Sequence, residues 1–89
     1  MCAIAGLAER NQELIGAMNE ALAHRGPDDT GVFEDASVSL GHNRLAILDL
    51  SSLGHQPMDV EGLTVVFNGE IYNFEELQEE LKAGGTQFL

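Results

Sequence analysis

Cys2 is the single cysteine among 89 residues, and it directly follows the initiator methionine. A methionine followed by a small residue is ordinarily removed, which leaves Cys2 with both a thiol and a free α-amine. Such an amine titrates at about 7.7–8.0, so near neutral pH it can act as a base. One residue then carries a nucleophile and its base, an arrangement that N-terminal nucleophiles use for acyl transfer. The competing account is structural: a lone cysteine in the apolar run Cys2-Ala3-Ile4-Ala5 is ordinarily a small buried hydrophobe. Chemistry at Cys2 therefore requires a substrate clamp and oxyanion donors elsewhere in the chain.

Arg44 is a candidate clamp, because a guanidinium holds a carboxylate through two parallel hydrogen bonds. It lies between Asn43 and the apolar stretch Leu45-Ala46-Ile47-Leu48; its structural alternative is a surface arginine beside a strand. Asn68-Gly69 is the candidate oxyanion hole. A side-chain amide and a glycine N–H can converge on a developing oxyanion, and glycine lets substrate approach the backbone closely. The same pair between apolar runs is also the strongest short-range signal for a tight hairpin turn. Glu70 is either an exposed acid or a partner for a substrate ammonium. His24, His42 and His55 are too scattered for metal-ligand spacing, so no metal site is expected. Asp28-Asp29 is better explained as turn chemistry than as a pair of metal ligands. The chain has no Gly-x-x-x-x-Gly-Lys phosphate loop and no Gly-x-Gly-x-x-Gly, which leaves nucleotide binding without support in these residues.

These groups must be positioned by a small number of elements. Cys2 to Ala8 has no helical period and is expected to be a buried strand. Asn11 caps a predicted helix that places Leu14, Met18, Ala21 and Leu22 on one face. The pattern stops at Ala23-His24-Arg25-Gly26-Pro27, followed by an expected turn over Asp28-Asp29-Thr30-Gly31. Short strands are expected at Val32-Phe33, Ser37 to Leu40 and Leu45 to Leu50, with a loop over Ser51 to Pro57. A stronger strand signal covers Leu63 to Phe67, and Glu70-Ile71-Tyr72 is read as its resumption. Asn73 and Glu76 resemble a capping box that opens a second helix. Phe74, Leu77 and Leu81 form its apolar stripe, and Gly84-Gly85 ends it. Thr86 to Leu89 reads as the start of another strand. The order predicts an α+β fold with substantial antiparallel pairing.

Fifteen acids against four Lys and Arg give a net charge of -11, which opposes binding to nucleic acid or anionic membrane through a basic surface. One cysteine allows no internal disulfide framework and points to a reducing compartment. No signal peptide and no membrane-length apolar run is apparent, so the expected location is cytoplasmic.

Taken in order, Met1-Cys2-Ala3-Ile4-Ala5-Gly6, His24-Arg25-Gly26-Pro27-Asp28, Gly41 to Ser51, Gly54-His55-Gln56-Pro57-Met58 and Phe67 to Phe74 resemble one family. It is the N-terminal glutaminase domain of glutamine-hydrolysing asparagine synthetases, a class II, N-terminal-nucleophile amidotransferase domain. The resemblance spans residues 1–89 as a single unit. It implies an Ntn-hydrolase-like four-layer α-β-β-α sandwich, of which this chain supplies about the first half. It further implies that Cys2 is the nucleophile, that Arg44 holds the α-carboxylate of L-glutamine, and that Leu45, Ala46, Ile47 and Leu48 line the pocket. Asn68 and Gly69 then correspond to the oxyanion hole and Glu70 to a substrate contact. No cofactor is implied for this chain; ATP and Mg belong to a separate synthetase domain, which with the second half of the sandwich completes the family's architecture.

Two departures stand out. Ala3 occupies a position that is usually glycine in the family, and a methyl group is harmful there if the backbone needs positive φ or close substrate contact. The sequence also stops before a Ser-Asp-(Thr/Cys)-Glu stretch whose aspartate grips the substrate ammonium. The isolated 89-residue polypeptide is therefore expected to show little or no glutaminase activity. The alternatives are an inactive fragment that binds an amino acid or a protein, and a gene product without a selected function.

Overall fold

A computed structural model of the chain describes residues 2–46 and 52–88. Its elements run β1 (Ala3–Leu7), α1 (Gln12–Ala21), a 3-10 turn (Ala23–Arg25), β2 (Asp29–Glu34) and β3 (Ser39–Arg44). A second 3-10 turn (Ser52–Gly54), β4 (Met58–Val60), β5 (Leu63–Val65) and α2 (Phe74–Ala83) follow. The architecture is α+β with two small antiparallel sheets: β1-β3-β2, and the hairpin β4-β5. No described helix is long and apolar enough to cross a membrane.

β3 is the central strand. It pairs Ala3 with Asn43 on one side and Thr30 with Asn43 on the other. Sequence periodicity placed a strand at Ser37 to Leu40; it instead begins at Ser39 and runs through Gly41-His42-Asn43-Arg44. It tolerates polar residues because two neighbouring strands satisfy its backbone and because its side chains find partners. Thr30 Oγ1 donates to Asn43 Oδ1 at 2.9 Å, and Asn43 Nδ2 donates to the Asn19 carbonyl at 2.9 Å. Buried amides paired in this way avoid the cost of lost hydration. The same pairing draws Asp29-Thr30-Gly31 into β2, leaving only Asp28 of the expected turn outside the strand.

α1 packs on one face of this sheet. Asn11 Oδ1 accepts the Leu14 N–H at 2.9 Å, as its capping role requires. The Asn11 N–H donates to Ser39 Oγ, which itself donates to the Glu9 carbonyl, so the start of the helix is tied to β3. The buried residues of α1 are Ile15 and Asn19, an i, i+4 pair, and Leu14 is 41% exposed. The inward face is thus rotated by about one residue from the expected Leu14-Met18 stripe. Asn19 takes the inward position because its Nδ2 donates to the Gly31 carbonyl at 3.1 Å. Ala3 and Ala5 complete the apolar side of this small core.

Gly26 closes the connection from α1 to β2. A Cβ at this position would strike the Asn43 carbonyl and, at 2.6 Å, the Arg44 amide nitrogen, both of them backbone in the central strand. Gly26→Ala is expected to lower stability by about 1–3 kcal/mol by overpacking. Denaturant unfolding checks this; an unchanged midpoint contradicts it.

The second half departs further from expectation. Leu45 and Ala46 lie beyond the end of β3, and the rest of the expected strand, Ile47 to Leu50, lies outside the described residues. β5 stops at Val65, and Glu70-Ile71-Tyr72 and Thr86 to Phe88 form no strand. The tight hairpin turn sits at Glu61-Gly62, whose φ values of 52° and 81° are both positive, as a two-residue type I′ turn requires. Asn68 and Gly69 have no such φ values, so hairpin formation does not account for them.

α2 begins after Asn73 as expected, although the Asn73 side chain makes no capping bond. It ends in a Schellman motif: Gly85 has φ 95°, and the N–H groups of Gly85 and Thr86 donate to Lys82 and Leu81. Its stripe was expected to be buried. Instead Phe74, Leu77 and Leu81 are 59%, 39% and 50% exposed. With Ile71, Gln78 and Phe88 they line an open apolar groove of about 440 Å³. The stripe has the period of a buried face, but no described element packs over it.

Candidate active site

The two faces of the three-stranded sheet have different roles. Side chains alternate along a strand, and residues directly opposite each other share a face. Ala3, Ala5 and Asn43 face α1, so Cys2, Ile4, His42 and Arg44 belong to the other side. The Ala3 methyl is 5% exposed in the α1 core, on the face opposite the thiol, and Ala3 has no positive φ. Neither reason for excluding a methyl group at this position applies in this fold.

Cys2 is partly buried where β1 meets the end of β3. The Leu45 N–H donates to Cys2 Sγ at 3.4 Å, and the thiol reaches the Leu45 carbonyl at 3.8 Å. The antiparallel register makes this contact unavoidable: Ala3 pairs with Asn43, so Cys2 meets the residues that follow it, Arg44 and Leu45. The sulfur therefore sits against an amide N–H beside the candidate clamp.

Arg44 is the last residue of β3 and is only 9% exposed. Gly54 of the second 3-10 turn lies against its guanidinium. Asp29 is its cross-strand partner. Asp28 holds the backbone on either side: its N–H donates to the Arg44 carbonyl and its Oδ2 accepts the Ala46 N–H, both at 2.9 Å. The Asp28-Asp29 pair is thus a set of ties around the clamp. His55 Nδ1 lies 2.5 Å from Asp29 Oδ2. That hydrogen bond, opposed by partial burial and reinforced by the charges of His55 and Arg44, holds the Asp29 carboxyl below its ordinary range. The pair fastens the segment around His55 to β2, where Gln56 and Pro57 lie against Gly31, the residue opposite His42. The Gln56-Pro57 peptide is cis.

His42 is 1% exposed, and its Nε2 lies 3.3 Å from the Phe67 carbonyl. A carbonyl only accepts, so Nε2 carries the proton. Burial pushes the His42 pKa below its ordinary 6.5, against the opposing pull of the Phe67 carbonyl and Asp29; His55 and Arg44 push the same way as burial. The folded protein therefore favours the neutral ring. Above about pH 6.5 both the folded and unfolded states leave it neutral, and its contribution to stability is complete. As pH falls toward the lower folded value, the unfolded chain takes up a proton first and stability declines. Thermal midpoints between pH 7.5 and 5.5 are expected to fall less in His42→Gln than in the wild type; equal declines contradict this.

Asn68, Gly69 and Glu70 are exposed, and their tie to this face runs through Phe67. The Phe67 N–H donates to Gln56 Oε1 at 2.7 Å, and its carbonyl accepts from His42. The structure thus brings Cys2, Arg44, Leu45 and Ala46 to one strand end and anchors Phe67, which leads into Asn68-Gly69, over the same face. Ile47 and Leu48 lie outside the described residues. Sequence reasoning missed His42, Gln56 and the ties made by Asp28 and Asp29. His42 was detectable as the residue two positions before Arg44, on the same face of any strand through both. Among the described residues, no group of three His, Cys, Asp or Glu side chains is placed to hold a metal ion.

Comparison with known proteins places this arrangement in context. Residues 1–89 match the glutamine amidotransferase domain family. The chain is 43% identical to a putative glutamine-hydrolysing asparagine synthetase 2 of Methanocaldococcus jannaschii, over 90% of this chain and 20% of that protein. It is also 43% identical to the glutamine-hydrolysing asparagine synthetase 1 of Bacillus subtilis, over 99% of this chain and 15% of the relative. A glutamine-hydrolysing asparagine synthetase 1 of Arabidopsis thaliana is 46% identical over 73% of this chain and 11% of its own length. The chain thus spans at most a fifth of the length of these relatives.

Proposed function

Because the chain belongs to the glutamine amidotransferase domain family, we propose that it is the N-terminal part of the glutaminase domain of an asparagine synthetase, hydrolysing L-glutamine to glutamate and ammonia. The observation that carries this reading is the contact between Cys2 Sγ and Leu45, which sets the thiol at the strand end where Arg44 emerges. With Met1 removed, the Cys2 amine takes the thiol proton and the sulfur attacks the carboxamide carbon of glutamine. Arg44 holds the α-carboxylate, with Leu45 to Leu48 along the substrate and Glu70 on the ammonium side. Asn68 Nδ2 and the Gly69 N–H stabilise the tetrahedral oxyanion. The amine returns its proton to the departing nitrogen, ammonia leaves, and water then hydrolyses the thioester to glutamate.

In this reading the two sheets described here are parts of a four-layer α-β-β-α sandwich completed by further strands. The ammonia is used by a synthetase domain that amidates aspartate with ATP and Mg, in the cytoplasm. These 89 residues contain no phosphate-binding glycine loop. The test is release of glutamate and ammonia from glutamine by the product of the complete reading frame. Equal amounts of both are expected. Glutamine binding without either product contradicts the proposal and favours an amino-acid-binding module.

A further inference from the structure

On this face the Phe67 backbone is held by two different side chains, one at its N–H and one at its carbonyl. Gln56 Oε1 accepts from its N–H at 2.7 Å, and His42 Nε2 donates to its carbonyl at 3.3 Å. The Phe67 carbonyl belongs to the same peptide plane as the Asn68 N–H. A peptide is planar and trans, so fixing that carbonyl also fixes the plane and aims the Asn68 N–H to the opposite side. The two anchors themselves are firmly seated. His42 lies in the central strand with 1% exposure, and Gln56 is in the segment fastened to β2 by His55 and Asp29. This bracing stops at Phe67: Asn68 and Gly69 are exposed beyond it.

We propose that His42 is a positioning residue for the oxyanion hole: by holding the Phe67 carbonyl, with Gln56 holding the Phe67 N–H, it sets the direction in which Asn68-Gly69 leaves the sheet. The inference rests on the assignment of Asn68 and Gly69 as oxyanion donors. It accounts for a buried imidazole on the sheet face that carries the thiol, and it gives the Gln56 amide a role independent of packing. His42 touches no reacting atom. Its effect falls on transition-state stabilisation, because the oxyanion forms only there, and substrate affinity through Arg44 is left largely intact.

The test is steady-state glutamine hydrolysis by the product of the complete reading frame, comparing His42→Leu, His42→Gln and Gln56→Leu with the wild type. A glutamine side chain can donate to the Phe67 carbonyl, whereas leucine cannot. His42→Leu is expected to lose about 10- to 100-fold in kcat with KM changed by less than about threefold, the penalty of a displaced catalytic group. His42→Gln is expected to recover most of that loss, and Gln56→Leu to reproduce part of it without touching the core. Wild-type kcat in a folded His42→Leu protein overturns the proposal, as does equal impairment of the leucine and glutamine variants. If His42→Leu does not fold, the glutamine variant and Gln56→Leu decide: full kcat in Gln56→Leu overturns it. Cys2→Ala and Asn68→Ala run alongside. Hydrolysis that survives Cys2→Ala overturns the underlying assignment, and the inference falls with it. Loss in both controls with full activity in His42→Leu overturns the positioning role alone.

Discussion

Replacing Cys2 with alanine is expected to abolish glutamine hydrolysis, by a factor on the order of 10⁴ or more, in the product of the complete reading frame. In the proposed mechanism the sulfur is the atom that forms the thioester, and no other cysteine lies within these 89 residues. Folding is expected to survive, because Cys2 lies just outside β1 and on the face away from the Ile15 core. Glutamine binding is expected to survive too, because the proposed carboxylate clamp is Arg44. Coupled assay of glutamate, with calorimetry for binding, separates these effects. Retained turnover removes Cys2 from the mechanism; lost binding with lost turnover makes its role structural. Blocking the amine is expected to have a comparable effect. A variant that keeps Met1 has no free amine on Cys2, so the thiol loses its attached base.

Arg44→Ala is the second large effect. Truncating one partner of a buried, hydrogen-bonded charge pair costs about 2–4 kcal/mol, which corresponds to about 30- to 1,000-fold in kcat/KM for glutamine. The loss is expected mainly in KM, because the α-carboxylate is held equally in the ground and transition states. Arg44→Lys is expected to recover little. An ammonium supplies charge but not the planar fork, and the space beneath Gly54 is shaped by a guanidinium. Arg44 also stands opposite Asp29 in the sheet, so Arg44→Ala lowers stability as well. Melting curves measured beside the kinetics separate the two contributions. Unchanged KM in a folded Arg44→Ala protein contradicts the clamp.

These effects trace to one structural cause. β3 carries Arg44 at its end and His42 two residues earlier, and antiparallel pairing with β1 delivers Cys2 to the same edge. That strand was the least legible part of the sequence. Gly41-His42-Asn43-Arg44 lacks the β-branched, alternating pattern that marks a half-buried strand, and its stability comes from neighbours on both sides. Tertiary pairing decided it, as it did for Asp29 to Gly31. Elements whose signals are local were readable: the apolar run of β1, the Asn11 cap of α1, and the glycine stop of α2. Strand expectations at Glu70 to Tyr72 and Thr86 to Phe88 failed because short apolar runs carry no information about a pairing partner.

The candidate site divides in the same way. Cys2, Arg44 and Asn68-Gly69 could be proposed from the sequence because these residue types have recognisable chemistry. The groups that hold them in place could not, because Asp28, His42 and Gln56 act through backbone groups of residues distant in sequence and Gly54 packs against a guanidinium ten residues earlier in the chain. The backbone removes the hairpin reading of Asn68-Gly69: Glu61-Gly62 makes the hairpin turn, while Asn68-Gly69 follows the braced Phe67. The α2 stripe was correctly periodic, but period alone does not establish what a helical face packs against.

The central claim is that a Cys2 freed of Met1 is the nucleophile. Its most direct test is peptide mass spectrometry of the complete reading-frame product after reaction with an electrophilic glutamine analogue. The predicted result is a single adduct on a cysteine at the first position of the chain, prevented by prior saturation with glutamine. An adduct elsewhere, or a reactive chain that still carries Met1, contradicts the account.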